Sequence, residues 1–406
     1  MGSLAAERPT DFEHPDRSPA ERIGLARLTK LAFEGGDLRP LWNALLTKVQ
    51  RGQGTHGDVL DLSVIAQLHG DKALGLALQR DALAGQRLFL SPCAAARPAL
   101  RVLALAAPLD MGGNMPIEFL LEGSDVELIT LYVVPGRPLP DPLPEHDIAV
   151  VVASECEESR EALIDIGHLA MRWPRPLLNP PGRIADLDRD RLHCVIAGIP
   201  GLAIPPTIRV PRDALLDERA FPITVRPPGS HGGVGLAKIN DRRALETYLA
   251  ERSDAEFFVS PFIDYSGADG LFRKYRVAVI DGVAFPGHMA ILDQWNIWYL
   301  NAGMTTSAAK RAEEAAFMSG FETGFGARHR DALAEMAARL GLEYFTVDCA
   351  EDKNGRLLIF EADHTAIIHN MDPPELFPYK PPQMRKLFAA FVDMLKKRAA
   401  SAHADA

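Results

Sequence analysis

Cysteine is scarce in this chain: Cys93, Cys156, Cys194 and Cys349 are its only four in 406 residues, and they lie far apart in no metal-ligand spacing. They read as reduced, mostly buried small hydrophobes. No run of Lys or Arg forms a basic stripe, and 44 basic against 54 acidic side chains give a formal charge of -10. Nucleic acid and anionic membrane surfaces are therefore excluded as partners. The acidity leaves a phosphate ligand open, because local groups and metal ions set the field inside a pocket. No apolar run approaches the roughly eighteen residues of a membrane span, and the opening MGSLAAERPTDFEHPDRSP is charged where a secretory leader would be apolar. A cytosolic protein is expected. What is present is ordinary for a folded globular chain, with 47% apolar and 24% charged residues, and the length predicts two to four structural units.

The first 95 residues read as helices only. PAERIGLARLTKLAF, LRPLWNALLTKV, DVLDLSVIAQLHG and DKALGLALQRDALAGQRLF follow one another, with short Gly-Asp joints at Gly36-Asp37 and Gly70-Asp71. The segment Val59 to Phe89 is compatible with a tetratricopeptide-type helix pair, and equally with a simple bundle. The pattern then changes. ALRVLALAA, VELITLYVV and HDIAVVVASE are short apolar strands, with a helix expected over MPIEFLLEGSDV, so residues 96–183 predict a small parallel α/β layer. Proline clusters flank a helix near Asp188 to Ala197. From Pro211 onward strands and helices alternate again. One hairpin turns at Asp281-Gly282 and a second, EYFTVDCAEDKNGRLLIFEADH, at Asn354-Gly355. A last helix covers PPQMRKLFAAFVDMLKKRAA.

The stretch ITVRPPGSHGGVGLAKI, residues 223–239, raises the question of a ligand. It lacks the helix that must follow a dinucleotide fingerprint and the Gly-Lys-Ser/Thr that ends a P-loop. Two readings remain: an ordinary glycine-rich hairpin, or a loop whose glycines let backbone N–H groups approach phosphate oxygens. In the second, Arg226 on the entering strand and Lys238 on the leaving strand supply positive charge. Three acids cluster roughly 120 residues later. Glu361 and Asp363 are two apart and share a strand face, while Asp348 can sit opposite on the partner strand. An unpaired carboxylate at the end of the apolar run LLIF would be costly to bury. Hard oxygen donors without Cys or a His pair suit Mg2+ bridging nucleotide phosphates.

Taken in order, LLNPPGRI, IPGLAIPPT, ITVRPPGSHGGVGLAKI, FFVSPFI, KYRVAVIDG, YFTVDC and LLIFEAD resemble the ATP-grasp superfamily, over about residues 100–395. The resemblance is to glutathione synthetase-like and RimK-like carboxylate-amine ligases. It implies an α+β chain: an all-helical unit over 1–95, a pre-ATP-grasp α/β domain over 96–183, and two α+β subdomains over 184–400 with ATP between them. The implied chemistry is amide formation through an acyl phosphate, with ADP and phosphate released. By position, Arg226 takes the place of the strand lysine at the phosphates, and Ser230, His231, Gly232 and Gly233 that of the phosphate-covering loop. The backbone from Val259 through Ser260 to Phe262 stands as the adenine-binding linker, and Asp264 as a ribose contact. Arg276 matches the arginine that stabilises the acyl phosphate, and Asp348, Glu361 and Asp363 match the magnesium ligands. Two departures stand out: Arg226 is a planar fork where a lysine is usual, and Asp363 replaces the usual Asn.

Between the hairpins, GHMAILDQWNIWYLNAGM sets aromatics beside polar groups, as a small-molecule pocket or an amphipathic packing surface would. His288 is a candidate to orient a substrate carboxylate or take a proton from the amine; core packing is the alternative. His364, His369 and Lys380 follow the acids closely enough to line the acceptor side. The expected partners are a small carboxylate and an amine, with an amino acid or a peptide both admissible and a homodimer allowed. Two alternatives stay open: a ligase that recruits a peptide or protein through the helical unit, and a non-catalytic nucleotide-binding adaptor.

Overall fold

The computed structural model describes residues 18–217, 220–229 and 233–404. A two-residue strand, β1 (Ala20–Glu21), leads into helices α1 (Leu25–Phe33), α2 (Arg39–Gln50), α3 (His56–Leu68) and α4 (Lys72–Gly85). Thr55 and Asp58 close the N-terminus of α3 with a capping box, each side chain accepting from the other's backbone N–H. Helices α3 and α4 run antiparallel and close, because glycines face the partner: a Cβ at Gly75 would fall 2.3 Å from the Gln67 side chain, and one at Gly85 2.0 Å from His56. Leu28, Leu45, Leu62 and Ile65 form the core of this helical layer.

The remaining elements are β2 (Leu88–Leu90), β3 (Leu100–Ala106), α5 (Ile117–Leu120), β4 (Val126–Tyr132), β5 (Ile148–Val151), α6 (Arg160–Ala170), β6 (Leu177–Leu178), α7 (Pro181–Ile184) and α8 (Arg189–Ile196), followed by β7 (Leu202–Ala203), β8 (Ile208–Pro211), α9 (Arg212–Leu215), β9 (Ile223–Arg226), β10 (Ala237–Ile239), α10 (Arg242–Ala250) and β11 (Glu256–Pro261). The chain ends with β12 (Phe272–Ile280), β13 (Val283–Leu292), α11 (Ala308–Ser319), α12 (Phe325–Leu340), β14 (Tyr344–Glu351), β15 (Leu357–Asp363) and α13 (Lys380–Ala404). Among the described residues three sheets result, in the orders β1-β2-β4-β3-β5-β6, β10-β9-β11-β8 and β13-β12-β14-β15-β7.

The expectation of helices alone over residues 1–95 is corrected here. β1 pairs in parallel with β2, and β2 pairs antiparallel with β4, so the first ninety residues supply an edge of the first sheet. Both strands are too short to show an alternating pattern. β3 to β6 are parallel, and their apolar sequences suit strands covered on both faces. The helix expected over MPIEFLLEGSDV is a single turn, α5.

The second sheet is antiparallel and keeps a small core of its own, in which Leu215, Leu245 and Leu249 pack on Val225, Phe257 and Val259. The third is built on two hairpins. Asp281 and Gly282, both at positive φ, make the two-residue turn between β12 and β13, as a right-twisted hairpin requires. Helix α13 locks the first and third sheets together: Met384, Leu387, Phe391 and Leu395 repeat at helical spacing and share one buried cluster with Val102 and Val150 of the first sheet and Ile280 and Tyr344 of the third. Fully buried Asn179 adds a polar clamp, its amide nitrogen donating to the Tyr344 carbonyl (2.8 Å) and its oxygen accepting from the Glu343 and Tyr344 N–H groups (3.1 Å each). Among the described residues, no helix is long and apolar enough to cross a membrane.

Candidate active site

Antiparallel pairing assembles the charged centre. Asp348 on β14 stands opposite Arg276 on β12 and opposite Glu361 on β15. Lys274 lies two residues before Arg276, on the same face of the strand. Asp348 is 2% exposed. Its carboxylate accepts from Arg276 Nε (2.8 Å) and Nη2 (3.1 Å), and Lys274 Nζ lies 2.7 Å from Oδ2. Burial works against its charge, but Arg276, and after it Lys274, hold the carboxyl well below the usual carboxylate range. The reciprocal effect raises the Arg276 guanidinium: burial lowers it, and Asp348 together with Glu361 and Asp363 outweighs burial. Glu361 forms a close ion pair with Arg189, the first residue of α8. That partner, with Lys274 and Arg226, outweighs burial and the repulsion from Asp348 and keeps Glu361 below its ordinary value. Asp363 closes a tight turn instead, Oδ1 accepting from the backbone N–H (2.7 Å) and hydroxyl (2.8 Å) of Thr365.

All of these groups face one cavity of about 510 Å3, within the usual range for small-molecule sites. Among the described residues, Arg189, Arg226, Lys274 and Arg276 meet Asp348, Glu361 and Asp363 in its wall, four cations against three carboxylates. The second sheet contributes Thr224, Phe258 and Ser260, which alternate with core residues along β9 and β11; the Thr224 and Ser260 hydroxyls lie 2.7 Å apart. Phe262, Tyr265 and Trp295 add an aromatic surface, with Phe262 edge-on to Trp295. Gly233, at the end of the glycine loop, lines this same cavity. A smaller cavity of about 70 Å3 lies between Pro227 and Gly229 of the loop and Arg189, Arg226, Glu361 and Asp363. The loop and the acids therefore meet in one place, from opposite sheets.

Of the residues singled out from the sequence, Arg226, Gly233, Ser260, Phe262, Arg276, Asp348, Glu361 and Asp363 line the large cavity. Burial, with Arg189 nearby, pushes the Arg226 guanidinium down to about 10, so it stays charged at neutral pH. Ser230, His231 and Gly232 lie outside the described residues. The Lys238 ammonium stands 3.8 Å over the Phe262 ring, on the strand face it shares with Thr224. The Val259 side chain turns away into the core of the second sheet. Asp264 does not face the cavity: it is held by Lys353 (2.5 Å) and the Ser266 N–H (3.0 Å), which keep its carboxyl at about 2. His288 is also outside the cavity wall. It pairs with Arg276 across β12 and β13, its ring 4.7 Å from that of Tyr299, and burial followed by Arg276 holds it well below the usual histidine value, as a neutral imidazole. His364 is buried with Nε2 2.9 Å from the Ala153 carbonyl, a link to the first sheet. Lys380 is buried too, 2.8 Å from Asp372 and 3.4 Å from Glu314. Sequence reasoning passed over Arg189 and Lys274. The second had a signal, since Lys274 shares a strand face with Arg276; the first comes from 172 residues before its partner.

The three carboxylates do not form a cage. Among the described residues, no group of three or more His, Cys, Asp or Glu side chains stands close enough to hold a metal ion, because Asp348 and Glu361 are drawn to their cations and Asp363 to Thr365. In kind the donors fit Mg2+, which takes one or two carboxylates and completes its shell with phosphate oxygens and water.

No protein-family model and no curated protein sequence matches the chain. Among solved structures, it is similar to a RimK domain ATP-grasp protein from Sphaerobacter thermophilus, at 16% identity and a TM-score of 0.41, over 73% of this chain and 99% of that one. It is also similar to the D-alanine–D-alanine ligase of Bacillus anthracis in complex with ATP, at 13% identity and a TM-score of 0.44, over 76% and 99%. The VanG D-Ala:D-Ser ligase of Enterococcus faecalis overlaps at 11% identity and a TM-score of 0.44, over 73% and 99%. Overlap of this degree leaves the chemistry to be read from this chain's own residues.

Proposed function

We propose that this chain is an ATP-dependent carboxylate-amine ligase of ATP-grasp type. The observation that carries the reading is the shared cavity: Gly233 at the end of the glycine loop, four cations and three carboxylates, drawn from the second sheet, the third sheet and helix α8, face one space. Arg226 and the loop amides bind the triphosphate, the aromatic surface at Phe262 and Trp295 receives the base, and Arg276 with Lys274 draws in the substrate carboxylate. Asp348, Glu361 and Asp363 would hold Mg2+, which neutralises phosphate charge when bound.

A substrate carboxylate oxygen attacks the γ-phosphorus, the bond to the β-phosphate oxygen breaks, and ADP leaves. An amine nitrogen then attacks the acyl carbon, the carbon–oxygen bond to phosphate breaks, and inorganic phosphate departs while the nitrogen loses its proton to water. Arg276 and Arg189 offset the charge that builds on the transferring group.

The test is release of ADP from Mg-ATP with a panel of carboxylates and amines. Stimulated release that Arg276→Met lowers by at least about a hundredfold, in line with losing one charge-stabilising donor, supports the reading. Nucleotide binding with no stimulated release by any pair would instead favour a non-catalytic adaptor.

A further inference from the structure

One stretch of the large cavity's wall is apolar. Leu25 and Thr29 of α1, Met111 and Pro116 of the loop after β3, Phe119 of α5, and Ile367 form it. Among the described residues, no charged lining residue comes from this part of the chain; every charge belongs to α8, β9, β12, β14 or β15. Asn114 lies here as well, but both ends of its amide are engaged with the Ala107 backbone (2.9 Å each). The Thr29 hydroxyl is buried, without a hydrogen-bond partner among the described residues, and offers the cavity no accessible polar surface. Ile367 is a large aliphatic residue left 38% exposed, and its carbonyl accepts from Arg276 Nη1 at 3.3 Å. The guanidinium therefore stands where the charged centre meets the apolar wall.

We infer that the carboxylate substrate is apolar beyond its carboxylate and the atoms next to it: an aliphatic or aromatic acid or amino acid whose hydrocarbon part lies against α1 and Ile367. A second carboxylate would find no cation on this wall and an ammonium tail no anion, and either would be desolvated without a partner. The inference rests on the ligase reading and extends it: the helical N-terminal segment is part of the substrate pocket rather than a separate recruiting surface.

Hydroxylamine is the nucleophile of choice for the test, because it traps an acyl phosphate as the hydroxamate whatever the native amine is. Leucine and phenylalanine are compared with glutamate and lysine in the presence of Mg-ATP, and binding of each acid is measured separately by calorimetry with a non-hydrolysable ATP analogue. The expected result is hydroxamate formation with kcat/KM at least tenfold higher for the apolar acids, and a shift of at least tenfold toward glutamate in Ile367→Arg, a change at an exposed position that the fold tolerates. Preference for glutamate or lysine in the unaltered chain overturns the inference and leaves the ligase reading standing. Apolar acids that bind, and bind more weakly to Ile367→Arg, yet give no hydroxamate would sustain the subsite and overturn the ligase reading. Neither binding nor turnover of apolar acids overturns both.

Discussion

Removing the charge of Asp348 while keeping its shape isolates the contact on which the charged centre depends. In Asp348→Asn, the guanidinium of Arg276 and the ammonium of Lys274 lose the anion they share, and the new amide presents a donor where an acceptor stood. Breaking a buried ion pair costs about 3–5 kcal/mol. The Arg276 and Lys274 side chains keep 17% and 24% of their exposure, so water takes up part of the loss and about 2–3 kcal/mol is expected. With 406 residues at roughly 2.1 cal/mol/K each, the unfolding entropy is about 0.85 kcal/mol/K, and the loss corresponds to a fall in Tm of about 2.4–3.5 °C. Scanning calorimetry of the ligand-free protein near neutral pH measures it. Arg276→Met and the double variant complete a cycle, in which the double variant should lose less than the two singles together, by at least about 1 kcal/mol. A single variant melting within about 1 °C of the parent, or losses that simply add, would refute the coupling.

Three further outcomes follow from other parts of the molecule. Arg226→Met should weaken ATP about 10- to 150-fold, the loss of one charge-assisted hydrogen bond of about 1.5–3 kcal/mol, and leave AMP nearly unchanged; equal weakening of both would remove Arg226 from the phosphates. His146 is buried with Nδ1 2.7 Å from the Pro144 carbonyl and Nε2 accepting from the Trp173 indole (3.1 Å), and burial lowers its pKa. Below about pH 6.5 the unfolded chain takes up a proton that the folded one refuses, so stability should fall with acidification by up to about 1.4 kcal/mol per pH unit until the folded value is reached. His146→Gln should flatten the Tm profile between about pH 7 and 5.5, and an unchanged slope would count against a neutral buried imidazole. Lys380→Met should cost about 3–5 kcal/mol, because it strands fully buried Glu314 with only the Tyr379 and Tyr299 hydroxyls (2.6 and 3.2 Å) and the Met289 N–H (3.1 Å). Adding Glu314→Gln should recover part of that loss by thermal melting.

The parts of the fold that showed in the sequence were those written locally. Asp281-Gly282 and Asn354-Gly355 marked two hairpins, and the runs LRVLALA and VELITLY marked parallel strands, because turn chemistry and double-sided burial act within a few residues. Asp348, Glu361 and Asp363 could be brought to one face by counting along a hairpin. What stayed hidden was non-local. Arg189 reaches Glu361 only because α8 packs beside the third sheet, and β1 joins β2 after an excursion of four helices. Ion pairing also rearranged what counting predicted: a metal cluster of three acids became a set of pairs and a turn. His288 and Asp264 had suitable chemistry for a site, but His288 is buried against Tyr299 beside its strand partner Arg276 and Lys353 claims the Asp264 carboxylate, and neither fact is visible from residue type.

The place of β2 between β1 and β4 bears on any attempt to trim this protein. A shortened form beginning near residue 96 would strip two strands from the first sheet and leave β4, a seven-residue apolar strand, with its hydrogen-bonding groups bare along one side. Such an edge templates pairing with other chains. Aggregation of that fragment would therefore report on an uncovered strand, and would carry no information about what the missing helices recognise.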